Sequence, residues 1–175
     1  LYNRVTYEIK LEPFTLCECK EYFAANQIRI SDYDIAQSYM IFGGIPYYLG
    51  YLQNHLSLAQ NVDSLFFLPG ARLADEFDRL FASAFANPEM MINIVKTLYQ
   101  RRLGYTRKEI SEKSGISDGG MLTDALRALQ SGDFIEQYVP FGTSERNTTY
   151  KLTDPFCLFY LHFVEKRRHT NQAFW

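Results

Sequence analysis

Cysteine is scarce in this chain, with three among 175 residues, a number both too small and odd for a disulfide framework. Cys17 and Cys19 stand two apart on an expected helix, where side chains diverge instead of converging on a metal. All three thiols read as buried or half-buried apolar groups. Histidine is equally sparse, and His55, His162 and His169 match no ligand spacing, so neither a zinc site nor a Cys-His nucleophile is expected. No apolar run approaches the roughly 20 residues of a membrane span and no signal peptide is visible, which points to a cytoplasmic chain with no membrane partner. Excess charge is missing too: the formal net charge is -2 and the pI is near 5.9, so nothing at whole-chain level calls for a polyanion. The phosphate-cradling pattern Gly-x-x-x-x-Gly-Lys-Ser/Thr does not occur, nor does a hydrophobic strand ending in paired acids that would hold Mg²⁺. Phosphoryl transfer by this chain alone is excluded on that ground.

What is present is apolar and aromatic surface, 47% and 16% of residues respectively, enough for a substantial core in one or two small domains. The clearest pattern runs from Met90 to Leu152. Met91, Ile94, Val95, Leu98 and Tyr99 recur at helical steps and Gly104 closes the run. Thr106-Arg107-Lys108-Glu109 is a capping-box pattern opening a second helix, which Ser114-Gly115 stops. Ser117 or Asp118 seeds a third, with Leu122, Ala125, Leu126 and Leu129 on one stripe and a left-handed residue expected at Gly132. Phe134 to Val139 and Thr148 to Leu152 read as two strands around a turn-rich Pro140 to Asn147. Three helices followed by a hairpin predict a winged helix-turn-helix with a two-stranded wing.

A winged helix invites a DNA-binding reading, whose candidate contacts are Arg107, Lys108, Arg127 and Arg146. The third helix, however, carries Asp118 and Asp124 against Arg127, and the wing sets Glu145 beside Arg146. Tight duplex binding neutralises roughly six to ten phosphates at once. This surface is too poorly basic for that, and a protein-facing module is favoured over a DNA reader.

Before this stretch, Val5, Tyr7, Ile9 and Leu11 alternate with polar residues as in a half-buried strand that Pro13 ends. Thr15-Leu16-Cys17-Glu18 is another capping box, for a helix to about Asn26, and Ser31 caps the next, which buries Ile35, Tyr39 and Phe42. Gly43-Gly44 break that helix, and Pro46 opens one through Leu52. Ser57 to Leu68 and a long amphipathic helix marked by Leu73, Phe77, Leu80, Phe81 and Phe85 follow, with Asn87-Pro88 as the domain boundary. Asp154-Pro155 starts a last helix that stacks Phe156, Phe159, Tyr160 and Phe163 and is expected to pack on the wing. Within Gly43-Gly44-Ile45-Pro46-Tyr47-Tyr48-Leu49 the glycines let a backbone approach something closely, and the proline sets a flat apolar ring beside free amides. That suits a helix-break-helix corner, and it also suits the floor of a purine site.

Strand plus capped helix from Arg4 to Phe23, then Gly43 to Leu49, then Tyr150-Lys151-Leu152-Thr153-Asp154-Pro155-Phe156 closing the winged helix: in this order the chain resembles the C-terminal half of archaeal-type AAA+ P-loop ATPases, relatives of the STAND ATPases. The resemblance implies a mainly α fold. Residues 1–13 are then the last strand of a nucleotide-binding core, 14–86 a helical lid, 87–165 the winged-helix domain and 166–175 the start of a linker. It implies Gly44, Ile45 and Pro46 at the nucleotide, Arg4 as an arginine finger offered in trans, and ATP or ADP with Mg²⁺ held by the whole protein. Implied partners are an N-terminal P-loop core and a C-terminal nuclease-like domain. The chain is thus expected to be a fragment of a longer protein, non-catalytic by itself, serving as nucleotide-sensing lid and relay. The alternative is a stand-alone winged-helix transcriptional regulator.

Overall fold

The computed structural model describes residue 7, residues 9–144 and residues 147–167. It divides into two compact units, Leu1–Leu58 and Ala59–Trp175. The described chain is mainly helical, with one small antiparallel sheet of three strands, and none of its helices is long and apolar enough to cross a membrane. Most of the expected first strand, and Arg4 with it, lies outside the described residues. The described Tyr7, Ile9 and Leu11 are exposed and belong to no strand, so the expected edge strand is not formed there. An extended segment without a neighbour has nothing to pair its backbone with.

In the first unit, α1 (Leu16–Ala25) opens on the anticipated capping box: Thr15 accepts from the Glu18 amide while Glu18 accepts from the Thr15 amide. Ser31 caps α2 (Asp32–Phe42) through its side chain alone, accepting from the Asp34 amide, and Gly43 ends it in the left-handed region at φ 70°. Pro46 is the first residue of α3, which stops at Leu49, short of the expected Leu52. Cys19, Phe23, Ile35, Phe42, Tyr48 and Leu49 form the core of this unit. Cys17, in contrast, is exposed, because it falls on the face of α1 opposite Cys19 and Phe23.

α4 (Leu58–Val62), whose first residue ends the first unit, runs in the second unit into a π-helical turn, Asp63–Phe67, burying Val62, Leu65, Phe66 and Phe67. The amphipathic helix that follows, α5 (Glu76–Ala84), is shorter than its pattern suggested, with Leu73 buried in the turn before it and Phe85 just past its end. Asn87-Pro88 starts α6 (Pro88–Tyr99): the Asn87 side chain accepts from the Met90 amide and the proline sits where no amide partner is needed. That pair lies inside the second compact unit.

β1 (Tyr105–Thr106) leads into α7 (Arg107–Ser114), capped by the expected Thr106–Glu109 box and ended by left-handed Gly115. The N-cap of α8 (Gly120–Ser131) is Gly119, not Ser117 or Asp118, and it makes no side-chain cap bond. Leu122, Ala125, Leu126 and Leu129 are buried as expected. The left-handed residue after α8 is Asp133 at φ 61°, and Gly132 keeps an ordinary negative φ. β2 (Ile135–Tyr138) and β3 (Thr149–Leu152) form the hairpin, Ile135 facing Leu152 and Tyr138 facing Thr149. β1 adds to the other edge of β3, so the sheet order is β1-β3-β2 and the expected two-stranded wing carries a third strand. Gly104 permits it, since a Cβ there would stand 2.0 Å from the Tyr150 carbonyl oxygen.

The last helix, α9 (Pro155–Phe159), continues as a π-helical turn through Val164. Its rings pack on the π-helical turn Asp63–Phe67 and on α5. Tyr160 stacks on Phe77 at 4.9 Å with planes 7° apart, and its hydroxyl donates to the Ala74 carbonyl; Phe159 meets Phe66 at 5.1 Å. At the root of α9, Phe134 O accepts from the Thr153 and Asp154 amides. Phe66, Phe77, Phe81, Phe156 and Tyr160 are all essentially inaccessible, each contributing about 2–3 kcal/mol of apolar burial.

Candidate functional site

The Gly43–Leu49 corner is built by two successive left-handed residues, Gly43 at φ 70° and Gly44 at φ 69°. The close approach that the glycines permit is to the chain itself. A Cβ on Gly44 would meet the Phe14 carbonyl oxygen at 2.2 Å and the Tyr39 ring at 2.8 Å, and the Gly44 carbonyl accepts from the Phe14 amide at 2.9 Å. The segment that enters α1 is thereby pinned to the end of α2. Ile45, half-buried, is the N-cap of α3, its carbonyl accepting from the Tyr48 and Leu49 amides. Pro46 is exposed at the first helical position, and Tyr47 beside it is 61% exposed. Tyr47 leans on Tyr48 and Tyr51 at ring distances of 5.4 and 5.1 Å. Gly44, Ile45 and Pro46 are therefore adjacent but unequal: Gly44 is buried, and the outward face of the corner is Pro46 and Tyr47.

Arg107, Lys108 and Arg127 each have a carboxylate within 4.0 Å. Arg107 bonds through Nε to Asp118 Oδ1 at 2.6 Å and through Nη2 to the Gly119 carbonyl at 2.9 Å, tying α7 to the start of α8. That pairing explains why Asp118 does not cap α8. Lys108 lies 3.9 Å from Glu112 and Arg127 3.5 Å from Asp124, while Arg146 lies outside the described residues. Arg101, which sequence reasoning passed over, reaches Glu109 at 3.0 Å and lies over the Tyr105 ring at 4.0 Å. Hydrogen bonding from the Thr106 amide, aided by Thr106 Oγ1 and Arg101 and opposed by partial burial, holds the Glu109 carboxyl below its usual range.

A titratable pair, half-buried Asp154 and buried Cys157, sits at the root of α9. Asp154 Oδ1 accepts from the Cys157 amide at 2.6 Å. Burial pushes the Asp154 carboxyl up, and burial followed by the Asp154 charge pushes the Cys157 thiol well above its ordinary value. Burial also raises Cys19. A thiol held protonated is no nucleophile, so both groups serve packing and capping. Among the described residues no three His, Cys, Asp or Glu side chains converge as a metal site would require.

A second feature of the first unit carried no sequence signal. A concavity of about 660 Å³ is lined by Ala24, Gln27, Ile28, Arg29, Asn54 and His55. Gln27 occupies the left-handed position after α1 at φ 58°, a conformation that disfavours L side chains by about 1–2 kcal/mol. The Asn54 amide group holds the loop in place, donating to Gln27 O at 2.7 Å and accepting from the Arg29 amide at 2.8 Å. The partners lie 27 and 25 residues apart, which is why no spacing rule finds them.

No protein-family model matches the chain, and neither a curated protein nor a solved structure shows significant similarity to it.

Proposed function

We propose that this chain is the helical lid and winged-helix portion of an AAA+ P-loop ATPase, non-catalytic by itself, which senses the nucleotide held by a P-loop core and relays its state as domain motion. The observation that carries this reading is the Gly43–Pro46 corner: Gly44 is locked against Phe14 while Pro46 and Tyr47 face outward. A flat apolar ring on a rigid helix start fits one wall of a purine site. The chain's own contribution stops there, since the phosphate cradle and the Mg²⁺ ligands belong to the core. The helical lid closes over bound ATP, and contacts that differ between ATP and ADP bias the following domain between two positions; only a ligand that distinguishes two states can shift them.

The second module is read as a winged helix because α6, α7 and α8 are followed by the β2–β3 hairpin, with β1 completing its sheet. The local ion pairing of Arg107, Lys108 and Arg127 favours a protein-facing role for it over duplex binding.

The test is nucleotide titration of the intact ATPase and of this chain alone. Pro46→Ser in the intact protein should weaken ATP affinity by about tenfold, corresponding to loss of about 1.4 kcal/mol of contact. The chain alone should bind ATP in calorimetry no more tightly than about 1 mM, and equally weakly with Pro46→Ser. Arg4→Ala should spare ATP binding and lower turnover if it acts as a finger in trans. Unchanged affinity on Pro46 substitution would reduce the corner to a structural turn and remove the site assignment.

A further inference from the structure

We propose that the concavity beside the end of α1 binds a small organic oxyanion, with its phosphate or carboxylate on Arg29, His55 and Gln27 and its apolar body on Ile28 and Ala24. The inference is independent of the nucleotide reading, because neither Gly44, Ile45 nor Pro46 lines this space.

The frame is fixed before any ligand arrives. The Gln27 and Ile28 amides close the end of α1 on the Ala24 and Phe23 carbonyls at 3.1 and 2.9 Å, the double bond of a helix C-terminus that usually has glycine at its left-handed position. The Arg29 amide is taken by Asn54. The amides of residues 27–29 are thus taken, and along that segment a ligand's polar atoms are met by side chains. This chain keeps a side chain, Gln27, where glycine would fold more easily.

The lining has one sign. Arg29 and His55 supply cationic or N–H donors, Gln27 an amide, and no carboxylate lines the space. Neither the Arg29 guanidinium nor the His55 ring is hydrogen-bonded or ion-paired to another described residue. The end of α1 opposes an anion with roughly half an elementary charge, less than the full charge of Arg29, and its last carbonyls are already bonded. A guanidinium presents two parallel N–H groups that match the spacing of carboxylate or phosphate oxygens. The space is an open surface depression, every lining residue but Ile28 being exposed, so binding there is expected to be weak and to rest on charge.

The experiment is amide NMR of this chain, titrated at constant ionic strength with inorganic phosphate, phenyl phosphate and benzoate. Saturable shifts are expected on residues 27–29 and 54–55, with dissociation constants near about 1 mM for the aryl anions and about tenfold weaker for inorganic phosphate. A stronger response to phenyl phosphate identifies a phosphorylated ligand, and a stronger one to benzoate a carboxylate. Arg29→Gln should weaken binding by about tenfold or more and His55→Gln by a smaller factor, both with unchanged spectra elsewhere. Shifts that do not saturate, that scatter over the surface cations, or that persist in Arg29→Gln would overturn the proposal. None of these outcomes bears on Pro46, so the two readings fail separately.

Discussion

The amide of Phe14 donates to the carbonyl of Gly44 at 2.9 Å, and the Phe14 carbonyl lies where a Gly44 side chain would begin. Backbone therefore rests on backbone at this point, and the corner that presents Pro46 inherits its position from the segment leading into α1.

Gly44→Ala should accordingly be among the most destabilising single substitutions in the chain. A left-handed φ contributes about 1–2 kcal/mol and overpacking against backbone a further 1–3 kcal/mol, so a loss of about 3 kcal/mol is expected in urea unfolding. Gly70→Ala is the control, left-handed at φ 76° but with nothing within 4 Å of its Cβ position, and should lose only about 1 kcal/mol. Equal losses would mean that Phe14 does not press on Gly44.

Glu109 joins a cap to an ion pair, accepting from the Thr106 amide at 2.7 Å while Arg101 lies 3.0 Å away. Its carboxyl is held low in the folded chain, so its stabilisation is present above the unfolded pKa and lost as pH falls through the folded one. Glu109→Ala should lower stability by about 1–2 kcal/mol at neutral pH. That difference should shrink on acidification to the point where the wild-type carboxylate is protonated, read from thermal melts across acid pH.

Asp154 behaves oppositely. Its carboxyl is raised by burial, so its contribution is fullest below the unfolded pKa and declines as pH rises through the folded one. Asp154→Asn keeps an oxygen for the Cys157 amide without the buried charge, and should be neutral or stabilising by up to about 1 kcal/mol at pH 7. Asp154→Ala, which orphans that amide, should lower stability by about 1–2 kcal/mol. A lower melting temperature at pH 7 for the Asn variant than for the wild type would contradict the burial argument, and one no higher than that of the Ala variant would contradict the cap.

Arg107 should act on stability and not on nucleic acid. Its bonds to Asp118 and the Gly119 carbonyl predict a loss of about 1 kcal/mol for Arg107→Ala. Generic duplex affinity should stay in the non-specific range of about 10⁻⁴ to 10⁻⁶ M with or without it. Fluorescence anisotropy at two salt concentrations measures this; nanomolar binding with a steep salt slope would restore the DNA reading.

What could be read from the sequence is what each short segment settles within itself. Thr15 with Glu18, Thr106 with Glu109 and Asp154 before Pro155 all start helices as anticipated, because a first turn's free amides are satisfied within three residues. The stripe Leu122, Ala125, Leu126, Leu129 is buried for the same local reason, helical periodicity. Tertiary structure decided the rest. Asp118 abandons the α8 cap because Arg107, 11 residues away, takes its carboxylate. β1 is two residues long and exists only because Gly104 lets the chain lie against β3. The rings of α9 turn to Phe66 and Phe77, a choice that periodicity cannot make among several apolar faces. Pro46 of the candidate site was legible, since glycine and proline carry their conformations with them. The Arg29–His55 concavity was not, because it is assembled by one asparagine amide across a separation at which only the folded chain brings residues together.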